Sequence, residues 1–131
     1  MSRKLLVIDD QIEICKAISH TAQRHGFEVQ VVDDSESAIA VFLAFAPDVV
    51  ILDLVMPGRD GIQVLHDLLT SGVPAHIVLT TASGIGDAYV RIAAGVASFH
   101  GLAPLPLLRK PFRRADLIEV LNQVPETEGS V

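Results

Sequence analysis

Three acids and one lysine stand where chemistry can gather. Asp9 and Asp10 directly follow the apolar run Leu5-Leu6-Val7-Ile8, and Asp53 directly follows Val49-Val50-Ile51-Leu52. A third run, Ile77-Val78-Leu79, leads into Thr80-Thr81-Ala82-Ser83, and Leu105-Pro106-Leu107-Leu108 leads into Arg109-Lys110. Carboxylates brought together repel one another and shift their pKa values unless a cation joins them. An all-oxygen set with open positions suits Mg2+ (or Mn2+), which keeps several waters and takes phosphate as a co-ligand. A hydroxyl and a lysine beside such a cluster suit the acceptance of a phosphoryl group. The lysine and the metal would neutralise its oxygens as it transfers in line. A carboxylate is then the nucleophile, and the product is an aspartyl phosphate.

These residues meet only if the elements that carry them are arranged to suit. The apolar runs are rich in β-branched residues and mostly lack polar alternation, as in a parallel sheet buried on both faces. Val29-Gln30-Val31-Val32 reads as a further strand. Residues 105–108 make a weaker fifth, because Pro106 cannot donate to a ladder and points to an edge position. Between the strands lie helical stripes. Residues 11–25 carry Ile14, Cys15, Ile18 and Ala22, with Gly26 placed to end the helix. Ser35 is expected to cap a second helix that reaches Phe45 and stops at Pro47. Asp60-Gly61 opens a third, a fourth lies within residues 87–100, and a fifth runs over residues 113–124. Strand and helix alternate, which predicts an α/β sheet with right-handed crossovers. In such sheets ligands bind beyond the carboxyl ends of strands, where the strand order reverses. The common order 2-1-3-4-5 would bring Asp9, Asp10 and Asp53 to one crevice.

Composition narrows the partners. The chain has 131 residues, half of them hydrophobic and 20% charged, which suits one folded domain and excludes a disordered tail protein. Ten Lys and Arg face 16 Asp and Glu, a net charge of -6. Direct binding to nucleic acid or to an anionic membrane is therefore not expected. One cysteine, Cys15, excludes an internal disulfide framework. The longest apolar run, residues 38–46, is far short of the ~20 needed to span a bilayer. Only four apolar residues precede Asp9, too few for a signal-peptide core, so a cytoplasmic setting is the default. Residues 125–131 are polar and unpatterned, a tail or the stump of a linker.

Taken in order, Ile8-Asp9-Asp10, Asp53-Leu54-Val55-Met56-Pro57-Gly58-Arg59-Asp60-Gly61, Thr81-Ala82 and Lys110-Pro111-Phe112 resemble the receiver domain of two-component response regulators. The resemblance covers residues 3–124. It implies a doubly wound, flavodoxin-like (βα)5 three-layer sandwich around a parallel five-stranded sheet of order 2-1-3-4-5. It implies that Asp53 is the phosphoacceptor, Asp10 a direct metal ligand and Asp9 a ligand acting largely through metal-bound water. The backbone carbonyl of Val55 would complete the protein's share of the Mg2+ shell. Thr81 resembles the switch hydroxyl and Lys110 the phosphate-pairing cation, followed by a cis Lys110–Pro111 bond. The implied donor is a sensor histidine kinase or a histidine phosphotransfer protein, and the signal passes to an output domain or a separate partner. A homodimer is compatible with this. The domain would promote its own phosphorylation and dephosphorylation without being an enzyme on another substrate.

Two features depart from the family pattern. Leu107 occupies the place, three positions before the lysine, where receivers usually carry Tyr or Phe. The span from Thr81 to Lys110 is also longer than is common, and residues 92–102 look like a lengthened fourth helix. This is similar to a receiver variety found beside cyclic-di-GMP phosphodiesterase domains or standing alone. The altered segment belongs to the face that receivers generally use to signal.

Simpler readings apply to other residues. Thr80 competes with Thr81, but Thr81 precedes Ala82 as in the family, leaving Thr80 a core hydroxyl. Ser83 and the Val55 side chain flank the site and read equally well as loop residues. His20, His25, His66, His76 and His100 lack metal-ligand spacing. Cys15 reads as a small core hydrophobe, and Phe42, Phe45 and Phe99 as packing residues. Arg109, Lys110, Arg113 and Arg114 read as the solvated start of the last helix. A metal-dependent phosphatase would need a second acid where Val55 stands. A degenerate receiver, docking without phosphorylation, is disfavoured by the complete set Asp9, Asp10, Asp53, Thr81 and Lys110. A nucleotide carrier would need a glycine-rich loop after the first strand.

Overall fold

Leu5, Leu6, Val7 and Ile8 are all fully buried, and they form the middle of the molecule. Each such side chain contributes roughly 1.5–3 kcal/mol relative to leaving it exposed. The computed structural model describes residues 3–56, 60–82 and 85–124. Its elements run β1 (Arg3–Ile8), α1 (Ile12–Arg24), β2 (Phe27–Val32), α2 (Ala38–Phe45), β3 (Val49–Asp53), α3 (Gly61–Thr70), β4 (His76–Ala82), α4 (Ile85–Phe99), β5 (Leu107–Lys110) and α5 (Arg114–Asn122). The strands form one parallel sheet in the order β2-β1-β3-β4-β5, the expected doubly wound topology.

Side-chain alternation along the inner strands feeds two cores. Leu6, Ile8, Val50, Leu52 and Leu79 face one side, where Ala38 and Phe42 of α2, Val64, Leu65 and Leu68 of α3, and Ala93 of α4 pack on them. Leu5, Val7, Val49, Ile51 and Val78 face the other, covered by Cys15, Ile18 and Ala22 of α1 and by Leu117 and Leu121 of α5. Strands covered on both faces have no solvent side on which to place polar residues, which is why these runs read as continuously apolar. No helix among the described residues is long and apolar enough to cross a membrane.

Several boundaries differ from the expectation by a few residues, and two of them have a clear physical reason. Ser35 does not cap α2, which begins at Ala38. Asp34 closes that turn instead, its Oδ1 accepting the Ser37 N–H at 2.8 Å, because an Asp side chain readily satisfies an N–H a few residues on. The last strand covers Leu107–Lys110 rather than residues 105–108. Pro106 has no N–H to pair, so only its carbonyl joins β4, accepting from the Leu79 N–H at 2.8 Å. Edge placement of β5 is as expected. The fourth helix covers Ile85–Phe99, starting two residues before the expected span, and Gly26, with φ +87°, follows the His25 cap of α1. Ser83, Pro57 to Arg59 of the acidic loop motif, and residues 125–131 lie outside the described residues.

Candidate functional site

Because the strands are parallel, β1, β3, β4 and β5 deliver their carboxyl ends to one edge of the sheet. Asp9 and Asp10 leave β1 there, Asp53 ends β3, Thr81 lies at the end of β4, and Lys110 ends β5. A cavity of about 220 Å³ opens at this edge, bounded by Asp10, Asp53, Val55, Thr81 and Lys110. Asp9 sits behind it, 1% exposed, and Asp53 forms part of its wall at 4% exposed. Carboxylate oxygens of Asp9, Asp10 and Asp53 come within 4.8 Å of one another.

Local structure fixes each group. Asp9 Oδ1 accepts the Gln11 N–H at 2.9 Å, and the Cys15 thiol donates to the Asp9 carbonyl at 3.2 Å. Asp53 Oδ1 accepts the Val55 N–H at 3.1 Å. Gly61 lies so close to the end of β3 that a Cβ on it would meet the Asp53 carbonyl oxygen and Leu54 Cα. Gly61 donates its N–H to the Leu54 carbonyl at 3.0 Å, and Asp60 caps α3 through the Gln63 N–H at 2.9 Å. The Lys110–Pro111 bond is cis, the isomer that the resemblance implies.

Lys110 Nζ lies 3.2 Å from Asp53 Oδ2 and 2.8 Å from Asp9 Oδ2. The second contact is a close ion pair between two nearly buried groups. Burial pushes the Asp53 carboxyl up from 3.8 to about 6, and Asp9 adds to the rise, while the Val55 N–H and Lys110 pull it down. Burial works against the Lys110 ammonium, but Asp9 and Asp53 outweigh it and hold its pKa above the ordinary value. Burial, with Asp9 beside it, also pushes the Cys15 thiol up to about 11, which leaves it an inert core group.

Thr80 and Thr81 are both fully buried, yet only Thr81 borders the cavity. Its Oγ1 donates to the Ala82 carbonyl at a weak 3.3 Å, whereas Thr80 Oγ1 has no partner. Leu107 is half-buried and packs against the core on the α2–α4 side of the sheet. Two neighbours of the cavity carry no signal that spacing alone could give. Gly86, in the first turn of α4, lies so close that a Cβ would strike Thr81 Oγ1. Gln11 reaches Lys110 across 99 positions of sequence.

The donor set fits a hard divalent cation: three carboxylates with oxygens in reach of one another, two of them lining an open cavity. With the fold and this edge in view, comparison with known proteins identifies the class. The family model for the response regulator receiver domain matches residues 5–122, and the chain belongs to that family. It is 29% identical over 119 residues to the DNA-binding response regulator MtrA of Mycolicibacterium paratuberculosis, an alignment covering 90% of this chain and 49% of that protein. The chain thus spans about half the length of such relatives. Among solved structures it is similar to chemotaxis protein CheY4 of Vibrio cholerae, with TM-score 0.77 and 26% identity, covering 95% of this chain and all of that one. NtrX from Brucella abortus is also similar, with TM-score 0.76 and 26% identity over 95% of this chain and 27% of that one. The chain is a receiver domain of a response regulator, and its acidic edge is consistent with a phosphorylation-dependent switch.

Proposed function

We propose that Asp53 accepts a phosphoryl group from a phosphohistidine on a sensor kinase or histidine phosphotransfer protein, and that this change is the switch. The observation that carries the reading is the meeting of Asp9, Asp10 and Asp53 with Lys110 at a cavity bordered by Thr81. Asp10, Asp53 and the Val55 carbonyl would hold Mg2+ directly, with Asp9 acting through its waters, and the cation would screen charge on the incoming oxygens. The ionised Asp53 carboxylate attacks phosphorus in line. An O–P bond forms as the donor's N–P bond breaks, and the leaving imidazole takes its proton from solvent. Lys110 exchanges its contact with Asp53 for one with a phosphoryl oxygen. Thr81 turns its hydroxyl from the weak bond to Ala82 toward the same group, and this loosens its contact with Gly86 of α4.

Residues 3–124 make up the switch unit. It promotes its own phosphoryl gain and loss in the cytoplasm and turns over no separate substrate. The signal then passes to an output domain or a separate partner. The test is intact mass after incubation with acetyl phosphate, run with Mg2+, with chelator, and on Asp53→Asn. A labile gain of one phosphoryl group that needs Mg2+ and is absent from the variant is the expected result. A gain that persists in Asp53→Asn would show that another residue is the acceptor.

A further inference from the structure

Gln11 stands where a helix normally caps itself. It is the N-cap of α1, with backbone angles φ -88° and ψ 105°, and residues favoured there accept a hydrogen bond from their own first turn. The Gln11 side chain makes no such bond. It crosses to β5 instead, where its Oε1 accepts from Lys110 Nζ at 2.6 Å. The Gln11 backbone is locked in turn, because its N–H donates to Asp9 Oδ1 at 2.9 Å and its carbonyl accepts from Cys15 at 3.1 Å. Gln11 also borders the cavity that holds Asp10, Asp53 and Thr81.

Lys110 Nζ therefore faces three oxygens, from Gln11 at 2.6 Å, Asp9 at 2.8 Å and Asp53 at 3.2 Å. The nearest belongs to a neutral amide, and an ammonium has three donors to direct. An amide oxygen fixes the direction of the ammonium without cancelling its charge, whereas each carboxylate draws the charge toward itself. The contact with Asp53 is the longest of the three and the one to be exchanged when a phosphoryl group arrives. With Gln11 in place, Nζ is held at the cavity while that exchange occurs. Without it, only the two carboxylates hold Nζ.

We propose that Gln11 is a positioning residue for phosphoryl transfer, holding the Lys110 ammonium toward the incoming group through its side-chain oxygen. The proposal rests on the reading of Asp53 as acceptor. It is tested on the full chain with Gln11→Leu and with Gln11→Glu, which keeps an acceptor oxygen. The first readout needs no phosphodonor. It is the proton–nitrogen NMR signal of the Lys110 ammonium, which persists when the group is held and is lost to solvent exchange when it is not. The second is the rate of phosphoryl gain from acetyl phosphate, measured across Mg2+ concentrations.

Gln11→Leu is expected to lose the ammonium signal and to slow phosphoryl gain roughly threefold to tenfold, the net worth of one ordinary hydrogen bond at an exposed position. The Mg2+ concentration for half-maximal rate stays where it is, and Gln11→Glu retains the ammonium signal. A Gln11→Leu protein that gains phosphoryl at the wild-type rate overturns the role of Gln11 and leaves Asp53 untouched as acceptor. A rate loss with the ammonium signal intact also overturns it, since the effect would not then pass through Lys110. A wild type that gains no phosphoryl group overturns the acceptor reading and this role together.

Discussion

Replacing Asp53 with Asn removes a charge that the fold holds at a cost. Burial lifts the Asp53 carboxyl from 3.8 to about 6 even with Lys110 3.2 Å away. A rise of roughly two units corresponds to about 3 kcal/mol at roughly 1.4 kcal/mol per unit. Between the two values the unfolded chain has released the proton while the folded protein still holds it. Raising the pH through that window therefore favours the unfolded state, and above it the full cost persists. Asn keeps the neutral shape and can still accept the Val55 N–H, but Lys110 loses one carboxylate partner. The net expectation is a gain of about 1–3 kcal/mol for Asp53→Asn at pH 7, fading toward zero near pH 4. Urea unfolding with chelator present, at both pH values and with unchanged slope, measures it directly. A variant no more stable than wild type at pH 7, or a gain of equal size at both pH values, would refute the reasoning.

Other expectations follow from the same geometry. Millimolar Mg2+ should raise the thermal midpoint by mass action, about 1.4 kcal/mol at ten times its Kd, and Asp10→Asn should abolish most of that rise in a melting scan. Gly61→Ala forces a Cβ into the backbone at Asp53 and Leu54, and should cost about 1–3 kcal/mol or more in denaturant unfolding while slowing phosphoryl gain. Gly86→Ala drives a Cβ against Thr81 Oγ1 and should cost about 1–3 kcal/mol, much of it recovered when Thr81→Ala is added, as a double-mutant cycle of melting curves would show.

The sheet was legible because burial on both faces leaves little room for polar residues, so β1, β3 and β4 stood out as short apolar runs. The acids and the lysine were legible for a related reason: parallel strands end at one edge, and residues next to those ends must meet there. Other features depend on what comes near in space rather than on what comes next in sequence. Ser35 has the chemistry of a cap, yet Asp34 takes the turn. Pro106 reads as part of a strand, but β5 starts only where N–H groups resume. Gly61 and Gly86 matter through close approach to Asp53, Leu54 and Thr81, which neither spacing nor composition reveals. Gln11 left a faint sign, a residue outside the usual capping set at a helix start, but its partner lies at the far end of the chain.

The central claim is that the phosphoryl group is carried on Asp53, and chemical trapping tests it most directly. After reaction with acetyl phosphate and Mg2+, borohydride converts an aspartyl phosphate to homoserine, and peptide sequencing by mass finds the converted residue. The account predicts homoserine at position 53, dependent on Mg2+ and on the phosphodonor. Conversion at Asp9, Asp10 or another acid, with position 53 still Asp, would contradict it.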